Sequence, residues 1–166
     1  GLIIQTPVGK VFHTADWKLD ADPVVGAQVT PQQYQTMTGI DAVVCDSTNA
    51  LNPMSADSEI DVASALLTAV SDASRRVIVA CFASNIARLQ TLGSIARQTN
   101  RHIGLLGFSL NNMRRCAQDA GYLQTDFNPV DRQHLGYLPP EEVLAIATGS
   151  QGEPGAALHR LSTDSH

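Results

Sequence analysis

The sequence lacks any apolar run that approaches the ~20 residues of a membrane-spanning helix, and it lacks a charged-then-apolar amino-terminal signal. We therefore expect no membrane partner and a cytoplasmic location. Cysteine is scarce, because Cys45, Cys81 and Cys116 are the only three and no C-x-x-C spacing joins them. This favours buried free thiols in a reducing compartment over a disulfide framework or a zinc knuckle.

An excess of positive charge is also lacking, since the formal net charge is −5. That balance argues against a broadly basic surface that coats nucleic acid. A local basic groove stays open, because the arginines are clustered at Arg75, Arg76, Arg97, Arg101, Arg114 and Arg115.

Four short apolar runs each break abruptly into small polar residues, at 42–49, 77–85, 103–109 and 143–152. Continuous rather than alternating apolar runs are typical of strands buried on both faces of a parallel sheet, and helical patterns lie between them. The chain of 166 residues is long enough for one such domain. The pattern predicts a wound, mostly parallel α/β sheet of about four strands, with the polar ends on the carboxyl edge where ligands bind.

The remaining elements follow from local patterns. Residues 2–6 and 10–14 predict a hairpin, and residues 21–39 predict a loop with a short helix around 32–36. Four crossover helices are expected to begin at Ser55 or Asp57, at Ser84-Asn85, near Asn111-Asn112 and at Glu153-Pro154. The expected inner faces are Ile60, Ala63, Leu66, Leu67 and Val70 in the first, Ile86, Leu89, Gly93 and Ala96 in the second, and Met113, Cys116, Ala117 and Ala120 in the third, which Gly121 ends.

Asp16 follows a predicted strand and lies close in sequence to His13. A carboxylate at a strand end is a frequent metal ligand, and a neighbouring imidazole can serve as a second ligand or as its support. The alternative is that Asp16, Asp20 and Asp22 simply form turns.

The polar residues that end the first apolar run are Asp46, Ser47, Thr48 and Asn49. They supply a carboxylate, two hydroxyls and an amide, and the polar residues that end each of the four runs are called its run end below. Such a set can orient a catalytic histidine or hold phosphate oxygens. An Asx turn or a helix cap explains the same residues without chemistry.

The later run ends suggest anion contacts. Ser84, Asn85 and Ser109 lie at helix starts, where unpaired N–H groups attract anions, and simple capping is the alternative for each. In the last run end, Gly149 and Gly152 allow a close backbone approach to a ligand beside Ser150 and Glu153, although Walker and dinucleotide spacings are missing. Phe82 and Phe108 follow two strands and either stack on bases or pack in the core.

Six segments together resemble the ribonuclease J family, of the β-CASP branch of the metallo-β-lactamase superfamily. They read H-T-A-D-W-K-L-D at 13–20, C-D-S-T-N-A at 45–50, S-E at 58–59, R-V-I-V-A-C-F-A-S-N-I at 76–86, G-Y-L at 121–123 and T-G-S-Q-G-E-P-G-A-A-L at 148–158. The resemblance divides the chain into the end of a metallo-β-lactamase-like segment at 1–50 and a β-CASP-like α/β domain at 51–166.

The resemblance implies a hydrolase with two zinc ions that cuts RNA from its 5′ end and sometimes internally, and that assembles as a homo-oligomer. Asp16 matches the family aspartate that bridges both metals, and Asp46 matches an acidic residue that orients a histidine for leaving-group protonation. The later run ends would then line the RNA channel.

The chain also departs from the family pattern. It lacks the H-x-H-x-D-H metal motif and the later family histidines, it has Phe108 where the family has an arginine, and it has Ala87 where the family has a histidine. We therefore expect a piece of a longer protein that is inactive alone. One alternative is a non-catalytic RNA-binding or assembly module, and another is a free-standing nucleotide-binding α/β domain.

Overall fold

A computed structural model describes residues 1–20, 22–53, 58–124 and 126–163 of the chain. The chain forms two compact units, the first comprising Gly1–Pro23 with Ala27–Ser58 and the second comprising Val24–Gly26 with Glu59–His166. The predicted helix caps at Ser55 and Asp57 lie outside the described residues. The division into two family segments after residue 50 stays a prediction.

The first unit contains a three-stranded sheet in the order β1-β2-β3. Strands β1 (Leu2–Thr6) and β2 (Gly9–His13) form the predicted antiparallel hairpin, in which Thr6 pairs with Gly9. Strand β3 (Ala42–Val44) runs parallel to β2. Between them the short predicted helix is present as α1 (Pro31–Gln35).

The second unit contains a parallel sheet in the order β4-β6-β5, so the last strand in sequence lies in the centre. Its elements are α2 (Glu59–Asp72), β4 (Val77–Ala80), α3 (Ile86–Gln98), β5 (His102–Leu106), α4 (Phe108–Asp119), α5 (Arg132–Leu135), a short 3-10 helix (Pro140–Glu142), β6 (Val143–Ala147) and α6 (Ala157–Thr163). The predicted wound, mostly parallel α/β fold is confirmed.

One expectation about the sheet is wrong. Three of the four apolar runs share the parallel sheet, whereas the run at residues 42–44 pairs with the hairpin in the other sheet. The burial differs in the same way, because all three residues of β3 are exposed while all five of β6 are buried, so an apolar run alone did not distinguish the two environments. The polar residues after β3 therefore follow a different sheet from the other three run ends.

The two faces of β6 bury different clusters. Leu144 and Ile146 belong to the main cluster, which includes Leu89 and Leu92 of α3, Leu110 of α4 and, from α2, Val70. The opposite face, Val143 and Ala145, packs with Leu135 of α5. The alternation follows from the two-residue period of a strand and explains why the whole of β6 is apolar.

Arg101 is buried at the amino end of the sheet, where its guanidinium donates to backbone carbonyls. The acceptors are the carbonyl oxygens of Arg75 at 2.9 Å, Val143 at 3.3 Å and Ala73. This side chain joins the segment after α2 to the first residue of β6. Arg101 is therefore a structural residue and takes no part in the local basic groove that the arginine clusters left open.

Several local expectations need correction. The third crossover helix begins at Phe108 rather than near Asn111, and its buried positions are Leu110 and Ala117, while Cys116 and Ala120 are exposed. The last helix begins at Ala157, three residues after Pro154. Gly121, with φ of 75°, follows the end of α4 as predicted.

The three thiols are free, as expected, but only Cys81 is buried, while Cys45 and Cys116 are exposed. Burial raises the pKa of the Cys81 thiol. In the described part of the chain, no helix has the length and apolar character that crossing a membrane requires.

Candidate functional site

The loops that follow β2 and β3 are held together by three hydrogen bonds. The Thr14 amide donates to the Val44 carbonyl at 2.9 Å, and the Asp46 amide donates to Thr14 Oγ1 at 3.2 Å. The Trp17 indole N–H donates to the Asp46 carbonyl at 3.2 Å. The chain segments that carry Asp16 and Asp46, the two carboxylates singled out in the sequence, therefore lie at the same edge of one sheet.

The Asp46 carboxylate has a fixed environment. Its Oδ1 accepts hydrogen bonds from the hydroxyl of Thr48 and, at 3.0 Å, from the Thr48 amide. These two bonds lower the pKa of Asp46 below its ordinary value of 3.8, and the bond from the Thr48 hydroxyl has the larger effect. The carboxylate is thus ionised at neutral pH and forms the Asx turn that was the alternative interpretation. Ser47 and Asn49 are exposed beside it.

Asp16 is exposed in the bend that follows β2. Beside it, Nδ1 of His13 accepts a hydrogen bond from the Ala15 amide at 3.0 Å. A neutral imidazole whose Nδ1 accepts carries its proton on Nε2, so neither ring nitrogen offers a lone pair in this arrangement. Ala15 has a φ of 53°, a left-handed conformation that is uncommon for a residue with a side chain.

The side chains that follow β2 can supply part of the ligand set of a metal ion, but not all of it. Within the described ranges, no three side chains of His, Cys, Asp or Glu lie together in a group that could hold a metal ion. The exposed Asp16 carboxylate suits one ligand position on a hard or borderline cation. Of the other two aspartates in this segment, Asp20 accepts from Ser58 Oγ at 2.9 Å and from the Asp22 amide at 3.1 Å, which is a turn-forming role.

The parallel sheet of the second unit brings together three predicted run ends. The strand ladder extends one residue past the strands, because the Cys81 amide donates to the Ala147 carbonyl and the Thr148 amide donates to the Leu106 carbonyl, both at 3.1 Å. Gly107 has a φ of 138°, and a Cβ there would lie 2.7 Å from Thr148 Oγ1. Glycine is therefore required where the end of β5 passes the end of β6.

The loop after β6 is closed by its own hydrogen bonds. The Gly152 amide donates to the Gly149 carbonyl, and the Gln151 amide donates to a carboxylate oxygen of Glu153, both at 3.1 Å. Gly149 and Gly152 have φ values of 109° and 74°, which glycine adopts without strain. Two backbone N–H groups of this loop, which was predicted to approach a ligand, thus have internal partners, while Ser150 is exposed.

At the starts of α3 and α4, one predicted contact residue caps its helix and others are exposed to solvent. Asn85 Oδ1 accepts from the Arg88 amide at 3.0 Å, so Asn85 caps α3. Ser84 and Ser109 are exposed. Phe82 and Phe108 are 54% and 82% exposed, so the alternative that these rings pack in the core is wrong. Phe82 follows β4 and Phe108 follows β5. These are the two outer strands of the sheet, so the two residues lie on either side of the end of β6.

Sequence reasoning missed one feature near this edge, the ion pair between Glu59 of α2 and Arg88 of α3. The pair links the first residue of α2 to the first turn of α3, and both side chains are largely buried. An acidic residue in the first turn of a helix is ordinarily explained by the helix dipole, and nothing in the local sequence points to Arg88 as its partner.

Comparison with known proteins identifies related chains. Residues 74–166 match the family model described as the β-CASP domain of ribonuclease J. Curated ribonuclease J proteins are similar over nearly the whole chain: that of Sinorhizobium meliloti is 36% identical over 165 residues, covering 98% of this chain and 29% of its own length. That of Corynebacterium glutamicum is 39% identical over 172 residues, covering 100% of this chain and 24% of its own.

Ribonuclease J of Thermus thermophilus is 34% identical over 168 residues, covering 100% of this chain and 29% of its own. The chain thus spans between 24% and 29% of the length of these three relatives.

Proposed function

This chain belongs to the ribonuclease J family and has the family's β-CASP fold in its second unit, and on that basis we propose that the complete protein hydrolyses RNA. The observation that carries the proposal is the family match over residues 74–166, together with relatives that are similar across nearly the whole chain. RNA is the substrate, attacked from the 5′ end and at internal sites. Each cut adds one water across a phosphodiester and gives two products, a shorter RNA together with either a nucleotide or a second RNA fragment.

The proposed reaction depends on two zinc ions, which when bound activate a hydroxide and stabilise charge on the scissile phosphate. In this chain the Asp16 carboxylate is the proposed ligand, because it is exposed at the end of β2. His13 is the second candidate, and the hydrogen bond that its Nδ1 accepts from the Ala15 amide has to break before the lone pair of a neutral imidazole is available to a metal. The remaining ligands come from other parts of the complete protein.

Asp46 is the proposed positioning residue for proton transfer. Its carboxylate is held by the Thr48 hydroxyl and amide and is ionised at neutral pH, so it accepts an N–H from an imidazole. Such a hydrogen bond fixes the orientation and tautomer of a histidine that protonates the leaving group. Ser47 and Asn49, exposed on the same loop, are proposed to contact the RNA backbone.

The carboxyl edge of the parallel sheet is the proposed RNA-binding surface. Hydroxyls of Ser84, Ser109 and Ser150 donate to phosphate oxygens, and the exposed ring of Phe82 stacks on a base. The same surface includes Asn85, Gly149, Gly152 and Glu153 as proposed contact residues or loop formers. Thr48, on the loop after β3 in the first unit, is proposed to contact RNA together with Ser47 and Asn49. Assembly as a homo-oligomer is part of the proposal for the complete protein.

The decisive experiment compares Asp16→Ala with Asp22→Ala in the complete protein. Both residues are exposed aspartates of the same segment, and Asp22 has no proposed role. We expect Asp16→Ala to lower the hydrolysis of 5′-monophosphorylated RNA by more than about 100-fold and to reduce zinc content measured by mass spectrometry. Asp22→Ala is expected to retain both activity and metal.

Unchanged turnover and zinc content in Asp16→Ala would remove Asp16 from the metal site. A complete protein that binds RNA but contains no metal and cleaves nothing would instead support the non-catalytic RNA-binding module.

A further inference from the structure

We propose that the second unit binds a nucleoside monophosphate in a cavity outside the proposed RNA-binding surface. The cavity, of about 490 Å³, lies between α4 and residues 128–133 and is called the α4 cavity below. Its wall includes two arginines, Arg114 of α4 and Arg132 of α5, and none of the residues proposed above to contact RNA or metal. The inference therefore goes beyond the proposed nuclease activity.

The orientation of Arg114 is fixed by a hydrogen-bonded amide. Gln118 Nε2 donates to the carbonyls of Gln124 at 3.1 Å and Phe127 at 3.2 Å. Its Oε1 is left to accept from Arg114 Nη1 at 2.6 Å. Because both ends of the Gln118 amide are engaged, the guanidinium is held in place before any ligand arrives, which lowers the entropic cost of binding.

Arg114 also has an unsatisfied donor. Its Nε is buried and has no hydrogen-bond partner among the described residues. A buried N–H without an acceptor is costly, and an oxyanion is the strongest acceptor for a guanidinium. Because Arg114 lines the α4 cavity, the negative charge of a phosphate group bound there stabilises a guanidinium whose own hydrogen bonds are incomplete.

The charge of the cavity wall favours an anion. Two guanidinium groups line it against one carboxylate, that of Asp131, whose Oδ1 already accepts from the Gln133 amide at 2.9 Å. Over the described ranges, neither Arg114 nor Arg132 has a carboxylate oxygen within 4.0 Å of its guanidinium. The wall is thus locally positive in a chain of net charge −5.

The size and the remaining lining indicate which anion fits. The volume of about 490 Å³ lies within the roughly 300–1,000 Å³ of small-molecule sites and exceeds what a phosphate ion alone fills. The amides of Asn111, Asn128 and Gln133 offer donors and acceptors for a base or a ribose, beside the apolar Val130. A phosphate monoester, with a charge of about −1.5 to −2 at neutral pH, matches two arginines better than a single carboxylate does.

The test is calorimetric titration of the complete protein with adenosine 5′-monophosphate, in buffer containing a chelator so that no metal site contributes. We expect saturable binding of the nucleotide, with adenosine and inorganic phosphate each binding about tenfold or more weakly. The variants Arg114→Gln and Arg132→Gln are expected to weaken nucleotide binding by a similar factor. Arg132 is exposed, so its substitution does not disturb the core.

Arg115→Gln is the matched control, because Arg115 is an exposed neighbour on α4 that donates to Asn112 Oδ1 and does not line the cavity. Its affinity for the nucleotide is expected to equal that of the unmodified protein. The proposal is overturned if the nucleotide shows no saturable binding, if phosphate alone binds as tightly, or if Arg132→Gln binds normally. RNA hydrolysis plays no part in this readout, so failure of the nuclease proposal and failure of this one are distinguishable.

Discussion

The guanidinium of Arg88 forms two hydrogen bonds with the carboxylate of Glu59, from Nε to Oε1 at 2.5 Å and from Nη2 to Oε2 at 3.1 Å. The side chains are 20% and 12% exposed, so water screens the pair only weakly. The bond to Glu59 raises the pKa of Arg88 further above its ordinary value. The pair therefore fastens the start of α2 to the start of α3, next to the carboxyl end of β4.

Replacing Glu59 by Gln is expected to destabilise the second unit by about 1–3 kcal/mol, because it leaves a largely buried guanidinium without its counter-charge. Urea unfolding followed by circular dichroism measures the change. Arg97→Ala is the control, since Arg97 pairs with Asp126 at 3.4 Å and the two side chains are 47% and 61% exposed. That surface pair is expected to contribute less than about 0.5 kcal/mol. Equal effects of the two substitutions would show that the Glu59 pair is not specially stabilising.

Gly93 marks the closest approach of α3 to the segment that follows α4. A Cβ at this position would lie 2.6 Å from Cδ2 of Phe127, a ring that is 3% exposed and has little room to move. We expect Gly93→Ala to destabilise the chain by about 1–3 kcal/mol, despite the better helix propensity of alanine.

The control for Gly93 is Gly136→Ala, measured by the same unfolding experiment. Gly136 has a φ of −69°, and a Cβ there would meet nothing within 4 Å. This substitution is expected to be neutral or to stabilise by up to about 1 kcal/mol, because it restricts the unfolded chain. A Gly93→Ala protein as stable as the Gly136→Ala protein would contradict the close packing on Phe127.

The low pKa of Asp46 gives a prediction about pH. A carboxylate whose pKa is lower in the folded state contributes stability above its ordinary pKa of 3.8, and loses it as the pH falls through the folded value. Thr48→Val removes the hydroxyl, the largest cause of the shift, and is expected to move the NMR titration midpoint of the Asp46 carboxyl upward toward 3.8. Ser47→Ala keeps the backbone N–H of residue 47 and is expected to leave the midpoint in place. An unshifted midpoint in Thr48→Val would mean that the hydroxyl does not determine this pKa.

The sequence predicted the parallel sheet well, because continuous apolar runs have a direct physical cause. Strand β6 is buried on both faces, and only apolar side chains satisfy two apolar neighbours at once. The run at residues 42–44 reads the same way but is exposed and pairs with the hairpin. An apolar run predicts that a segment forms a strand. It does not predict which other strand that segment pairs with, because the pairing depends on both strands.

The candidate site was predicted at the level of segments and not of contacts. The sequence placed all four polar run ends at one sheet edge, whereas the structure divides them between two sheets. Asp46 forms the Asx turn with Thr48 that was its non-chemical alternative. The residue type alone did not predict that Phe108 is exposed, because an aromatic residue ordinarily packs in the core. Phe108 is exposed because it lies beyond the end of β5. Arg101 likewise looked like part of a basic cluster until its three carbonyl acceptors were visible.

The central position of β6 has a consequence for biosynthesis. Strands β4 and β5 pair with β6 and not with each other, so neither has its neighbour until residues 143–147 have been translated. The two apolar strands therefore wait without their shared central partner while more than thirty further residues are translated after β5 ends, roughly two to seven seconds at typical rates of elongation. A nascent chain arrested before β6 is expected to be a client for chaperones, and translation through β6 is the event that commits this domain to fold.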